Sequence, residues 1–145
     1  MLHLVRRFFQ SWSSRIPDES ETALVRALMT EGEFALWSSM VAADQRHSLK
    51  VVARFRDRLS DATSEEIVGV ALHDVGKVQS GLGIFGRVIA TVIGPRTARF
   101  ATYHDHERIG LRMLRECGSS RDVQAVLEGT ARPDALAAFR WADDC

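Results

Sequence analysis

The stretch ALHDVGK, residues 71–77, ends an apolar run with an adjacent histidine and aspartate, followed by a glycine and a lysine. His73 offers a neutral imidazole and Asp74 a carboxylate, the ligand types that hold catalytic divalent metals. Gly76 is expected to loosen or end the helix so that Asp74 and Lys77 face a cleft, and Lys77 lies four residues from His73 on the same side. Because two adjacent residues recur by chance, the value of the pair depends on partner ligands elsewhere in the chain.

Helical spacing of apolar residues covers almost the whole chain, and the strict alternation that marks strands is missing. Ser20, Thr30 and either Asp61 or Thr63 are expected to cap helices, and Pro133 suits a first turn. The predicted helices cover residues 21–29, 31–40, about 43–59, a segment that includes 67–75, about 87–93, 96–117, 121–127 and 133 to the end. The sequence therefore predicts an all-α fold, a compact helical bundle.

The composition is that of an ordinary globular protein of one domain, with 145 residues, 46% apolar and 26% charged. The 19 basic residues balance 19 acidic ones, so net charge does not indicate a nucleic-acid polymer as a partner. No apolar run approaches the roughly 20 residues of a transmembrane segment. Cys117 and Cys145 do not form a disulfide framework, which favours a reducing, cytoplasmic location.

The start of the chain combines Phe8, Phe9 and Trp12 with Arg6 and Arg7. It lacks the long apolar core and the small-residue cleavage site of a signal peptide. We interpret it as a leading helix that packs on the domain. A helix lying on a membrane surface is the alternative.

Candidate partner ligands occur on three other predicted helices. His47 recurs with Val51 and Phe55 at intervals of four residues, which places it at the edge of an inward stripe. His106 leads an apolar stripe, whereas His104 shares its side with charged residues, so His106 is preferred. A core histidine bonded to a backbone carbonyl fits the pattern of His106 equally well.

Two adjacent aspartates compete at the end of the last helix. Asp143 shares a face with Leu136 and Phe139, whereas Asp144 shares a side with Arg140. A carboxylate over an apolar face needs a partner, because burial of an unpaired charge costs several kcal/mol. Asp143 is therefore the preferred candidate, with a metal as its partner.

The candidates follow the order His47, then His73 and Asp74, then His106, then Asp143, and they come from four helices. Helical bundles build metal sites from carboxylates and imidazoles that converge in this way. The order resembles that of the HD-domain superfamily of metal-dependent phosphohydrolases. The resemblance is carried by QRHSLKVVARF (45–55), ALHDVGK (71–77), DHERIGLRML (105–114) and LAAFRWADD (136–144). It implies an HD domain over residues 41–145 and a helical lead-in over 1–40, which together look similar to small actinobacterial HD proteins of unassigned role.

The resemblance implies that His47, His73, Asp74 and Asp143 ligate one divalent metal ion, either Mn, Fe, Ni, Co or Mg. It also implies that Lys77 contacts phosphate and that His106 joins a second metal or contacts substrate. Members with two metals usually carry another histidine before the last aspartate. Here VQAVLEGTARPDAL (123–136) has none, and Glu128 takes about that position. The glycine-tyrosine-proline motif of one subgroup and the Glu-Asp pair of the alarmone hydrolases are also missing.

The function expected from the resemblance is that of a phosphomonoesterase or phosphodiesterase acting on a nucleotide or a small phosphorylated metabolite. Asp74 and Lys77 are the expected catalytic residues. Asp74 would orient or accept a proton from an attacking water, and Lys77 would neutralise charge on the phosphate. The alternative is a catalytically degenerate HD domain that binds a nucleotide or a partner protein without turnover.

Overall fold

Seven α-helices and one 3₁₀ helix make up the ordered elements of the part of the chain that the computed structural model describes. These residues are 15–80 and 106–145, apart from the side chains of 78–80 and 106. The predicted helix with Phe8, Phe9 and Trp12 and the predicted helix at 87–93 lie outside them. The described elements are α1 (Glu19–Leu28), α2 (Glu31–Ser38), α3 (Ala42–Arg58), α4 (Ser64–Ala71), the 3₁₀ helix (Val75–Ser80), α5 (His106–Glu116), α6 (Arg121–Glu128) and α7 (Pro133–Asp144). No strand occurs among these residues, which confirms the all-α prediction.

Capping boxes set the starts of three helices. At α2, the Thr30 hydroxyl accepts from the backbone of Glu33 and the Glu33 carboxylate returns to the Thr30 N–H, as the sequence predicted. Thr63 caps α4 in the same way. The prediction of Ser20 as the cap of α1 is wrong. Asp18 caps that helix through a reciprocal box with Glu21, so the helix begins at Glu19.

The ends of the last helices follow local backbone rules. Gly118, just past α5, and Gly129, at the end of α6, adopt φ of +79° and +75°, the left-handed conformation in which glycine has no steric penalty. Pro133 occupies the first turn of α7, where its missing N–H costs nothing.

One apolar core joins all seven helices. Its largest fully buried side chains are Trp37, Phe55, Leu72 and Leu114. Helix α3 packs against α4 and α7, α4 packs against α6 and α1, and α5 packs against the 3₁₀ helix and α6. Residues before 41 share this core, and Trp37 donates its indole N–H to Ser48 of α3 at 2.8 Å. The division of the chain at residue 41 stays a prediction.

Arg132, just before α7, fixes that helix against the start of α4. Its guanidinium bonds to both carboxylate oxygens of Glu66, at 2.7 and 3.1 Å, and to Asp61. These bonds hold the pKa of Glu66 below its ordinary value. The contact aligns α4, which leads into His73, with α7, which carries Asp143 in its last turn.

Among residues 15–80 and 106–145, no helix has both the length and the apolar character that crossing a membrane requires.

Candidate metal centre

His73 and Asp74 lie in the turn between α4 and the 3₁₀ helix. The sequence predicted that the helix would continue to Val75 or Gly76, but α4 ends at Ala71. The Val70 carbonyl accepts from the His73 backbone N–H at 3.3 Å and from the His73 side chain at 2.6 Å. In a continuing helix that carbonyl would accept from the Asp74 backbone N–H. The His73 side chain donates to it instead, and the helix ends.

The bond to Val70 fixes the tautomer of His73. A carbonyl only accepts, so His73 Nδ1 is the donor and Nε2 points the other way. Nε2 lies 3.3 Å from Asp74 Oδ2 and 3.4 Å from Asp143 Oδ1, and it is a buried atom without a hydrogen-bond partner among the described residues. Carboxylate oxygens also only accept. The three atoms therefore face one another, and either a proton on Nε2 or a cation bound between them offsets the charge of the two carboxylates.

The distances between these atoms match those between ligands of one metal ion. Two ligand atoms about 2.1 Å from an ion are about 3.0 Å apart at a right angle and about 3.4 Å apart at the tetrahedral angle. Asp143 Oδ1 lies 3.1 Å from His47 Nε2 and 3.4 Å from His73 Nε2. The ligand atoms of His47, His73 and Asp74 lie within 4.8 Å of one another, so that this group could hold a metal ion. The residues present fit a divalent cation.

The electrostatics of the cluster favour positive charge. Burial by itself lowers the pKa of the His73 imidazole, but the carboxylates of Asp74 and Asp143 outweigh burial and raise that pKa to about 10. Burial raises the pKa of Asp143, yet its bonds to His47 and His73 prevail and hold the pKa well below its ordinary range. His73 and Asp74 are only 7% and 5% exposed, so water screens these interactions weakly.

Helices α3 and α7 bring the remaining candidate ligands to the turn. His47 comes from the middle of α3 and Asp143 from the last turn of α7, and both side chains are partly exposed. Asp144 is exposed beside it. The ring of Phe139, one turn before Asp143, packs edge-on against the His73 ring with centroids 5.0 Å apart and limits its rotation.

Lys77 reaches Asp74 from the 3₁₀ helix. Its ammonium lies 2.8 Å from Asp74 Oδ2. The sequence predicted that Lys77 projects on the same side as His73. In the structure the Lys77 ammonium contacts the carboxylate of Asp74, the residue that follows His73. Both side chains of this ion pair are largely buried.

The structure does not bring the residues considered for a second metal into this group. His106 is the first residue of α5, and its side chain is not described. Glu128 is exposed at the end of α6 and bonds to Arg115 at 3.0 Å. Helix α5 runs close to the start of the 3₁₀ helix, because a Cβ on Gly110 would lie 3.2 Å from the backbone nitrogen of Gly76.

Two supporting groups were not predicted from the sequence. The Val70 carbonyl orients His73, and a backbone group carries no signal in the side-chain pattern. Arg54 donates to the carbonyl of Ala142 at 3.3 Å and so supports the backbone beside Asp143. Its position two turns after His47 on α3 was a signal that could have identified it.

Comparison of the chain with known protein families, curated proteins and solved structures gives no match. The metal centre is therefore inferred from the geometry of this chain alone.

Proposed function

We propose that this protein is a metal-dependent phosphohydrolase of the HD type, acting as a phosphomonoesterase or phosphodiesterase on a nucleotide or a small phosphorylated metabolite. The observation that carries the proposal is the buried Nε2 of His73. Its tautomer is set by Val70, and it faces the carboxylates of Asp74 and Asp143 at ligand-to-ligand distances. The order of these residues along the chain, which resembles that of the HD superfamily, supports the same function.

His47, His73, Asp74 and Asp143 would hold the divalent ion, with Mn, Fe, Ni, Co and Mg as candidates. Such an ion supplies a bound water of lowered pKa and a Lewis acid for a phosphoryl oxygen. The hydrogen bond to Val70 and the packing of Phe139 hold the His73 imidazole ready as a ligand.

Asp74 and Lys77 are the proposed catalytic residues. The Asp74 carboxylate would orient the attacking water and accept its proton. The Lys77 ammonium, 2.8 Å from Asp74 Oδ2, is within reach of an anion that approaches this carboxylate. It would neutralise the charge that develops on the phosphoryl oxygens.

A single metal ion is the simpler stoichiometry. Glu128, which stands about where two-metal HD proteins carry a further histidine, is exposed and bonded to Arg115. The same observation favours the second candidate function, a degenerate HD domain that binds a nucleotide or a partner protein without turnover. Cys117 and Cys145 are free thiols, which supports a reducing, cytoplasmic setting for either function.

Metal content and hydrolysis measured together test the proposal. The purified protein is analysed for bound metal and then assayed with p-nitrophenyl phosphate, bis-p-nitrophenyl phosphate and a nucleotide panel, with Mn, Ni, Co, Mg or Fe supplied. We expect hydrolysis that depends on the metal and that Asp74→Asn and Asp143→Asn abolish. Asp144→Asn is the matched control, since Asp144 is the exposed neighbour.

The outcomes separate the two candidates. Metal or nucleotide binding without turnover of any substrate would leave only the binding module. An active protein whose metal content and activity do not change in Asp74→Asn and Asp143→Asn would contradict the proposed site.

A further inference from the structure

The ion pair between Lys77 and Asp74 involves the same oxygen that faces His73. Lys77 Nζ lies 2.8 Å from Asp74 Oδ2, and that oxygen lies 3.3 Å from His73 Nε2. The side chains of Lys77 and Asp74 are only 16% and 7% exposed. The ammonium therefore sits directly beside the position that a metal ligated by His73 and Asp74 would take, with little water to screen it.

Two cations then share one carboxylate. A divalent ion bound between His73 and Asp74 would be repelled by an ammonium a few ångströms away, and this repulsion is strong where water is excluded. In the absence of metal the same ammonium helps the His73 imidazole to compensate the buried charge of Asp74, which would otherwise be costly. Lys77 thus stabilises the metal-free site and opposes the metal-bound one.

We propose that Lys77 is a built-in counter-cation of the metal centre, which weakens metal binding until an anion engages it. This role rests on the proposed function. Metal binding would draw the Asp74 carboxylate away from the Lys77 ammonium, and the ammonium would then bind the phosphoryl group of the substrate. Metal and phosphate therefore bind cooperatively. By linkage, each raises the affinity of the other by the same factor.

Mn²⁺ titration by calorimetry on chelator-stripped protein tests this role. We expect Lys77→Gln, which removes the charge, to bind Mn²⁺ about tenfold or more tightly than the wild type. Lys77→Arg keeps the charge and is expected to stay near the wild type. Arg121→Gln, at an exposed position at the start of α6, makes the same change in net charge and should change the affinity less than about twofold.

Coupling of Mn²⁺ binding to a phosphate analogue provides a second readout. Methylphosphonate, which is not hydrolysed, should tighten Mn²⁺ binding by the wild type. Lys77→Gln should weaken that coupling severalfold, leaving only the part that comes from direct contact between the phosphonate and the ion. If Lys77 only stabilises the turn, Lys77→Gln would lower the thermal midpoint and leave the Mn²⁺ affinity unchanged.

The results distinguish this inference from the proposed function. Unchanged or weaker Mn²⁺ binding by Lys77→Gln, or a wild type without coupling to methylphosphonate, would overturn the role of Lys77 and leave the metal centre standing. If neither the wild type nor any variant binds Mn²⁺, the metal centre fails and the role of Lys77 fails with it.

Discussion

Replacement of Gly69 by alanine tests how the close approach of α4 and α6 positions His73 and Asp74. A Cβ at residue 69 would lie 2.7 Å from Val126 Cγ2 and 2.8 Å from the Val123 carbonyl oxygen. The carbonyl belongs to the backbone of α6, so no side-chain rotation relieves the contact. The two helices must therefore move apart. The movement of α4 would also displace the turn at His73, which directly follows it.

The expected magnitude combines two opposing effects. Overpacking of a tight core costs about 1–3 kcal/mol, and the backbone contact places Gly69→Ala at the upper end of that range. Alanine regains about 1 kcal/mol in a helix interior relative to glycine. We therefore expect the free energy of unfolding to fall by about 2 kcal/mol, measured by urea denaturation followed by circular dichroism.

Gly32→Ala is the control, because Gly32 also lies in a helix, in the first turn of α2, and its added Cβ would meet the Cys117 carbonyl at 3.3 Å, a contact that small shifts relieve. We expect its stability to stay within about 0.5 kcal/mol of the wild type. We also expect Gly69→Ala alone to weaken Mn²⁺ binding, because only that variant displaces α4. Equal stability of the two alanine variants would refute this account of the α4–α6 contact.

Three further predictions follow from other contacts. Ser48→Ala removes the acceptor of the buried Trp37 indole N–H, so the free energy of unfolding should fall by about 1–3 kcal/mol in urea denaturation; an unchanged midpoint would argue against this bond. Arg132→Met removes the bonds that depress the pKa of Glu66. In the wild type these bonds stabilise the folded state above the ordinary pKa of that carboxyl, and the stabilisation is lost as the pH falls through the lower, folded-state pKa. The variant should therefore be less stable than the wild type near neutral pH, with a gap that narrows under acid; a gap independent of pH would contradict the assignment. Mn²⁺ at about 100 times its Kd should stabilise the protein by about 2.7 kcal/mol. The thermal midpoint should rise, EDTA should reverse the rise, and Asp143→Asn should not show it. The same rise in Asp143→Asn would mean that the ion binds elsewhere.

Local rules carried much of the fold. The cap at Thr30 and the proline at the start of α7 depend only on neighbouring residues, and their predicted positions are confirmed. The start of α1 was misplaced because two capping residues compete there. Asp18 prevails over Ser20 because only Asp18 forms the reciprocal bonds with Glu21.

The candidate site was predictable in its members and not in its geometry. The apolar faces indicated that His47 and Asp143 point inward. Their 3.1 Å contact joins residues 96 positions apart and depends on how α3 packs on α7. The early end of α4 at Ala71 is also a tertiary effect. The His73 imidazole donates to the Val70 carbonyl, and Asp143 and Phe139 of α7 hold the imidazole in the orientation that makes this bond.

We propose above all that His73 Nε2 and its neighbours bind one divalent metal ion. Calorimetric titration of Mn²⁺ into chelator-stripped wild type and His73→Gln, with folding of both checked by circular dichroism, tests it most directly. We predict one ion per chain for the wild type and no measurable binding for His73→Gln. A wild type that binds no metal, or a His73→Gln variant that binds it equally well, would contradict the claim.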